Sequence, residues 1–340
     1  MAPLVTPLKA VPTGGSQAFL ADLARGLRRR GHEVLVYCAE PSDVPGVQLV
    51  QIPVEAGLEA ALVAMKGTTR SVPGMGPAFD RLYAELRRRG ADVVSQHAFD
   101  AEAIELAAGL PVLHSLHLPP IVPAVVLAAV RSKGRFCAPS ESARAGWAAA
   151  GLDQVEVVPN GVPDWEPGAL DSGPVALVAG RISPEKGVQI ALAAAERCRL
   201  GRLVVGPVYD REYFESEIQP LLRPGELLPA LPRERLWRVM ARSAVLLTPI
   251  DWEEPYGLAA AEAQMAGCPV AGYRRGALPE IVEEGVSGHL AEPGDFEGLV
   301  AATRAALLLN RAAVRASARR RLGLERSLDA YESVLGAVAG

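Results

Sequence analysis

Apolar positions along this chain alternate between helical spacing and short continuous runs. Phe19, Leu20, Leu23 and Leu27 fall on one helical face after Ser16, a residue suited to cap a helix, and predict a helix ending near Arg30 at Gly31. The run Glu33–Cys38 then predicts a strand. The same unit returns: Phe79, Leu82, Tyr83 and Leu86 mark a helix, Gly90 ends it, and Asp92–Gln96 predicts the next strand. Both copies contain Leu-Arg-Arg-Arg-Gly, at 27–31 and at 86–90. Arginines there suit the negative end of a helix dipole as solvated charge, and a membrane-surface role for the first triplet is the sharper alternative. Further strands fit at 111–116, 135–138 and 155–158.

A break comes next. Val162-Pro163-Asp164-Trp165-Glu166-Pro167-Gly168 and then Asp171-Ser172-Gly173-Pro174 have the composition of a linker. A second cycle starts with strand Val175–Ala179 and a helix from about Lys186. It continues through strand Arg202–Gly206, helices near 211–222 and 233–242, strand Ala244–Thr248, a short strand at 269–271 and closing helices. Such alternation with short loops implies α/β organisation with parallel sheets. Two of these in tandem predict a cleft, with ligands at the carboxyl ends of the strands. The first strand, Ala2–Val5, is short: either the edge of that sheet is thin or the chain begins upstream of Met1.

Size and charge narrow the classes. The chain has 340 residues, 49% of them apolar and 5% aromatic, enough for two Ala/Leu/Val cores. A net charge of −4 argues against bulk nucleic-acid binding. Cys38, Cys137, Cys198 and Cys268 form no C-x-x-C pair and read as small buried hydrophobes of a reducing compartment. No apolar run approaches the ~18 residues of a membrane span, and no secretory leader pattern opens the chain, so a cytoplasmic protein is expected, with peripheral membrane contact left open.

The residues with chemical potential gather at predicted strand ends. In Gly180-Arg181-Ile182-Ser183-Pro184-Glu185-Lys186-Gly187, Arg181 emerges where a strand ends and Lys186 falls in the first turn of the next helix. A cation at a helix N-terminus opposes the dipole unless an anion sits there, and a fork-shaped guanidinium with a point-charge ammonium suits a diphosphate. Glu254 and Glu262 bracket the start of an Ala-rich helix, with Pro255 and Gly257 in the turn before it. Helix N-termini attract anions and carboxylates accept from hydroxyls, a combination matched to a nucleotide sugar. Gly14-Gly15 precedes the Ser16 helix and permits close approach of a phosphate or sugar. His97 and His117 end predicted strands, whereas His114 lies inside one and reads as packed. Dinucleotide and P-loop glycine patterns are missing, as are D-x-D, H-E-x-x-H and G-x-S-x-G, so no metal or cofactor is expected.

In this order and spacing these pieces resemble a retaining glycosyltransferase of family four, with GT-B architecture. Gly14-Gly15 with residues 27–34 resembles the family's opening, and Val157-Val158-Pro159-Asn160-Gly161-Val162 the close of its first domain. Gly180-Arg181 with Glu185-Lys186-Gly187 resembles the phosphate-binding pair. Glu254-Pro255-Tyr256-Gly257-Leu258 through Glu262-Ala263 resembles the E-x7-E signature, and Gly276 to Val282 the segment after it. The resemblance implies two Rossmann-like doubly wound domains facing a central cleft: an acceptor-binding domain over 1–165, a nucleotide-sugar domain over 166–323, and a C-terminal helix over 324–340 crossing back to the first. It implies that Arg181 and Lys186 bind the donor diphosphate, with backbone N–H groups of Gly257 and Leu258 and the neighbouring Tyr256. Glu254 would hold hydroxyls of the transferred sugar and Glu262 the ribose diol. His117 would touch the sugar, Gly15 would border donor and acceptor, and His97 would face the acceptor. The pattern departs around Pro229-Ala230, where a glycine is usual before the base-contacting turn.

The expectation is therefore metal-independent transfer of a hexose from a nucleotide sugar, UDP-glucose first and GDP-mannose second, to a hydroxyl of a small-molecule or saccharide acceptor. A nucleotide-sugar epimerase of the same fold and a lipid-acceptor transferase are the alternatives. Acceptor contacts are expected near 10–16, 55–77 and 97–123, the middle segment being either an apolar wall or a mobile surface loop.

Overall fold

The computed structural model describes residues 1–9, 14–55, 75–168 and 172–340. Most of the expected acceptor loops, residues 10–13 and 56–74, and part of the linker, residues 169–171, lie outside the described residues. Contacts group the chain into two α/β units. One comprises the N-terminal stretch through Lys9, Ser16–Pro159 and Glu325–Gly340. The other comprises Asn160–Leu324, to which Gly14 and Gly15 are grouped by their contacts.

In the first unit β1 (Leu35–Ala39) pairs in parallel with β2 (Gln48–Ile52). β3 (Val94–Gln96), β4 (Val112–Ser115), β5 (Arg135–Ala138) and β6 (Val155–Val157) form a parallel sheet in that order. The expected strand at Ala2–Val5 does not form. Only Met1 and Ala2 pair with the sheet: Ala2 N–H donates to the Tyr37 carbonyl at 2.8 Å, the Met1 amino group donates to the Ser95 carbonyl at 2.6 Å, and His97 N–H donates to the Met1 carbonyl at 3.0 Å. These bonds seat two residues between β1 and β3, where a central strand belongs. Pro3 then has no N–H to continue the ladder, and the chain leaves it.

The first helix, Gly15–Arg29, buries Phe19, Leu20 and Leu23, and the helix Met75–Arg89 buries Phe79, Leu82, Tyr83 and Leu86. The arginine triplets at their ends are only partly solvated. Arg28 and Arg29 are exposed, but Arg30 turns onto the C-terminal helix, Leu324–Ala339, and meets three of its carboxylates: Glu325 at 2.7 Å, Asp329 at 2.8 Å and Glu332 at 2.6 Å. Those acids follow helical spacing, so one guanidinium reads one face of that helix. In the second triplet Arg87 donates to the Leu106 carbonyl, and Arg88 and Arg89 pair with Glu85. Tyr331, fully buried, anchors the same C-terminal helix with Leu328.

The second unit is one parallel sheet in the order β12-β11-β10-β7-β8-β9. Its strands are β7 (Val175–Ala179), β8 (Gly201–Val205), β9 (Leu227–Leu228), β10 (Val245–Thr248), β11 (Val270–Tyr273) and β12 (Gly288–Ala291). β10 and β11 are buried at every position, as strands covered on both faces are, and their sequences accordingly read as uninterrupted apolar runs. The chain winds one way from β7 through β9 and the other way from β10 through β12. The reversal lies between neighbours β7 and β10, so the loops leaving those two strands diverge and open a crevice at their carboxyl ends.

Two expectations change at this point. Lys186 lies outside the α-helix that follows β7. Pro184–Lys186 forms a 3-10 turn, Gly187 adopts a left-handed conformation with φ +63°, and the helix begins at Val188. The region 211–222 is helical but irregular, an α turn at Arg211–Tyr213, a π turn at Phe214–Ile218 and a 3-10 turn at Gln219–Leu221. Pro220 lacks the N–H an α ladder would need. β2, β9 and β12 were not anticipated; β9 has only two residues, and β2 carries two glutamines among its five.

Gly187 is fixed twice over, by its positive φ and by the Pro249 backbone oxygen, which an added Cβ would approach to 2.2 Å. Gly187→Ala is expected to destabilise the protein by about 2 kcal/mol or more, read as a lower urea midpoint. A midpoint equal to that of the wild type contradicts this reading of the turn.

Candidate active site

The crevice between β7 and β10 collects the charged residues singled out in the sequence. The loop after β7 carries Arg181 and Lys186, and the loop after β10 carries Glu254. Two contacts tie these loops together: Asp251 N–H donates to the Glu185 carbonyl at 2.8 Å, and Gly187 lies against Pro249. Lys186 Nζ thereby reaches Glu254 Oε2 at 2.5 Å. Both side chains are largely shielded, 18% and 15% exposed, so the contact is screened less than a surface pair. Trp252 was not anticipated. Its indole N–H donates to the same Glu254 oxygen at 2.8 Å, and its ring lies 5.1 Å from Lys186 Nζ.

The turn after β11 grips Glu254 by its backbone. Ala277 N–H donates to the Glu254 carbonyl at 2.9 Å, and Gly276 packs so closely that a Cβ would sit 2.4 Å from the Glu254 nitrogen. Arg181 extends over the ring of Tyr209, from the loop after β8, at 4.7 Å. It also lies 3.9 Å from Glu185, whose carboxylate accepts from Ser183 Oγ at 2.6 Å. Strand-end loops from four adjacent strands thus supply this group.

Glu262 sits in the helix Leu258–Met265, entered through Gly257 and buried nearly all round. A carboxylate 6% exposed in such a helix needs a countercharge. Arg233 supplies it, Nε to Oε1 at 2.5 Å, with its guanidinium stacked over Trp237 at 4.7 Å. The two signature acids therefore hold separate cations, Lys186 for Glu254 and Arg233 for Glu262. No pattern in the sequence marked Arg233; it stands 29 residues from its partner. Tyr256 and Leu258 are buried beside Gly257.

In the first unit the two strand-end histidines touch. His97 Nδ1 and His117 Nε2 are 2.7 Å apart, with the rings stacked at 5.0 Å, and His97 Nε2 meets Ser95 Oγ at 2.8 Å. Tyr331 of the C-terminal helix stacks on His97 at 6.1 Å, and Phe19 meets His117 edge-on at 6.1 Å. A bond between two imidazoles needs one donor and one acceptor, which neutral rings provide. Burial enforces neutrality: it pushes His117 down to about 4 and His97 well below its ordinary value, with the neighbouring His117 adding to the latter. Asp100, three residues beyond His97 and also buried, is raised to about 7 by burial and then by Glu102. His114 is packed, as expected, and stacks on Phe136 at 4.8 Å. Gly15 opens the first helix. Among the described residues no group of three or more His, Cys, Asp or Glu is placed to hold a metal ion, and no helix is long and apolar enough to cross a membrane.

Two α/β units of parallel sheet, the second with charged strand-end loops at its winding reversal, have the make-up of the GT-B fold class. Residues 13–165 match Glycosyltransferase Family 4, and residues 164–322 match Glycosyl transferases group 1. The chain belongs to the family-four glycosyltransferases. It is similar to glycogen synthase of Mycobacterium tuberculosis, 31% identical over a match covering 46% of this chain and 41% of that one. It is also similar to D-inositol 3-phosphate glycosyltransferase of Xylanimonas cellulosilytica, 28% identical over 83% of this chain and 80% of that one. Among solved structures, Anabaena HepE in complex with UDP and glucose superposes with a TM-score of 0.75 at 18% identity, covering 96% of this chain and 97% of that one, a likeness of fold.

The buried groups near His97 give stability opposing pH slopes. The unfolded chain protonates His117 near its ordinary 6.5 while the folded chain resists until about 4, so stability falls as pH drops through that window. Asp100 stays protonated in the fold up to about 7 against an ordinary 3.8, so its contribution is full at low pH and is lost as pH rises through that range. In urea melts between pH 4 and 7, His117→Gln is expected to lessen the acid-side loss, and Asp100→Asn to lessen the loss toward neutrality. Wild-type pH profiles in both variants contradict the assignment.

Proposed function

We propose that this protein is a retaining, metal-independent glycosyltransferase that moves a hexose from a nucleotide sugar to a hydroxyl of a small-molecule or saccharide acceptor. The observation that carries the reading is the 2.5 Å contact between Lys186 and Glu254 at the reversal between β7 and β10, with Arg181 leaving the same strand. A nucleotide sugar has two chemistries, an anionic diphosphate and a polyhydroxyl ring. The crevice offers cations for the first and a carboxylate for the second. UDP-glucose is the first donor expected, a choice supported by the UDP and glucose held by the solved relative, and GDP-mannose is the second.

In this reading Arg181 and Lys186 bind the diphosphate, joined by the Gly257 and Leu258 N–H groups where the buried helix begins, with Tyr256 beside them. Glu254 accepts from hydroxyls of the hexose, and Glu262 accepts from the ribose diol. As the glycosidic C–O bond breaks, negative charge grows on the leaving diphosphate, and these fixed cations and dipoles stabilise it without reorganising, the part a metal ion plays elsewhere. Glu254 is held by its neighbours as a hydroxyl acceptor rather than poised as a nucleophile. Retention follows by attack of the acceptor on the face the leaving group departs from. The first unit takes the acceptor through His117, whose ring is oriented by His97; the expected acceptor contact at His97 itself is closed off, since both of its ring nitrogens are engaged, with His117 and with Ser95. Their neutral pair has one ring nitrogen of His117 beyond the shared bond, for a hydroxyl.

Incubation with a panel of nucleotide sugars, with and without acceptor extracts, followed by mass spectrometry, tests the reading. Transfer or slow donor hydrolysis is expected, with Glu254→Gln and Lys186→Ala each costing at least ~100-fold in rate. Donor isomerised without acceptor indicates an epimerase instead. Near-normal turnover by either variant at intact donor affinity contradicts the roles of Glu254 and Lys186.

A further inference from the structure

We infer that Trp252 is a positioning residue that fixes which oxygen of Glu254 meets the ligand. The inference rests on the proposed function for what that ligand is, but its geometry does not. Lys186, Trp252 and Glu254 form a closed triangle in which each side chain touches the other two: ammonium to carboxylate at 2.5 Å, indole N–H to carboxylate at 2.8 Å, ammonium to ring at 5.1 Å. Both bonds to the carboxylate end on Oε2. Oε1 accepts from no donor among the described residues. A carboxylate has lone pairs on each oxygen, so Glu254 is half-saturated by the protein and its second oxygen is held in one direction.

The indole takes part in both halves of this arrangement, with the Lys186 ammonium as the second donor to Oε2. Its N–H blocks rotation of the carboxyl group, because turning Oε2 away breaks two charge-assisted bonds at once. Its ring face holds the Lys186 ammonium in place when a diphosphate competes with Glu254 for that cation. Trp252 and Glu254 lie two residues apart across a tight turn, closed by Glu254 N–H donating to the Trp252 carbonyl at 2.9 Å, and that turn brings the two side chains together. A hydroxyl acceptor aimed to within a fraction of an ångström contributes to the rate chiefly in the transition state, where misplacement is penalised most.

Trp252→Phe keeps the ring and loses the N–H; Trp252→Leu loses both. The expected order of kcat is wild type, then Phe about tenfold lower, then Leu about a hundredfold lower, with the donor KM of the Phe variant within about twofold of wild type. A Phe variant with wild-type kcat, or a loss confined to KM, overturns the positioning role. Circular dichroism melts of both variants report whether folding is intact. An independent readout needs no turnover. The chain has four tryptophans, so the indole N–H region of a 15N spectrum shows four signals, and the one missing in Trp252→Phe belongs to Trp252. That signal is expected to shift in nucleotide-free Glu254→Ala. If it does not move, the contact is absent and the inference fails. If it moves while no nucleotide sugar is turned over by the wild type, the functional reading has failed instead, and with it the positioning role.

Discussion

A parallel sheet that reverses its winding must leave two neighbouring strand ends uncovered, and the chemistry of this protein depends on what fills that gap. β7 and β10 are hydrogen-bonded neighbours, but the loops leaving them go opposite ways. Lys186 comes from one and Glu254 from the other. Their 2.5 Å contact is sustained by less conspicuous features: the left-handed turn at Gly187 pressed on Pro249, the Asp251–Glu185 backbone bond, and the Gly276–Ala277 turn beneath Glu254. An ion pair with this much shielding needs its partners placed by such scaffolding, since the Coulomb gain alone does not repay desolvation.

Much of this was legible in the sequence. Long apolar runs gave the parallel strands, because strands covered on both faces cannot alternate. The glycine-punctuated motifs marked the loops at their ends, because those loops follow regular elements in a fixed order. Other features were hidden for physical reasons. Arg30 looked like surface charge because the acids it meets lie 295 to 302 residues away, on the C-terminal helix. Arg233 carried no mark for the same reason: its pairing with Glu262 is long-range. Trp252 stood two residues from a signature glutamate, but its contact depends on a tight turn between them that the spacing does not mark. Lys186 was placed in the first turn of an α-helix because Ser-Pro-Glu-Lys is a good helix start; those residues form a 3-10 turn, and the left-handed Gly187, packed against Pro249, delays the α-helix to Val188. The expected first strand fell short at Pro3, whose missing donor was visible all along.

The first unit works by a different physics. Around His97 the polar groups are buried among aromatics, and the two histidines are kept neutral, a state in which they share one hydrogen bond. Charge dominates the β7–β10 crevice of the second unit, desolvated neutral polarity the histidine pair of the first. That division suits the proposed reaction, in which one substrate is anionic and the other presents a hydroxyl.

The most direct test of the central claim is calorimetric titration of the protein with UDP and with uridine, and with GDP and guanosine as a second pair. If cations at the β7–β10 crevice grip a diphosphate, the diphosphate of one pair binds much more tightly than its nucleoside, and the difference collapses in Arg181→Ala and Lys186→Ala. Equal affinity for nucleoside and diphosphate in both pairs, or a difference that survives both substitutions, would contradict the account.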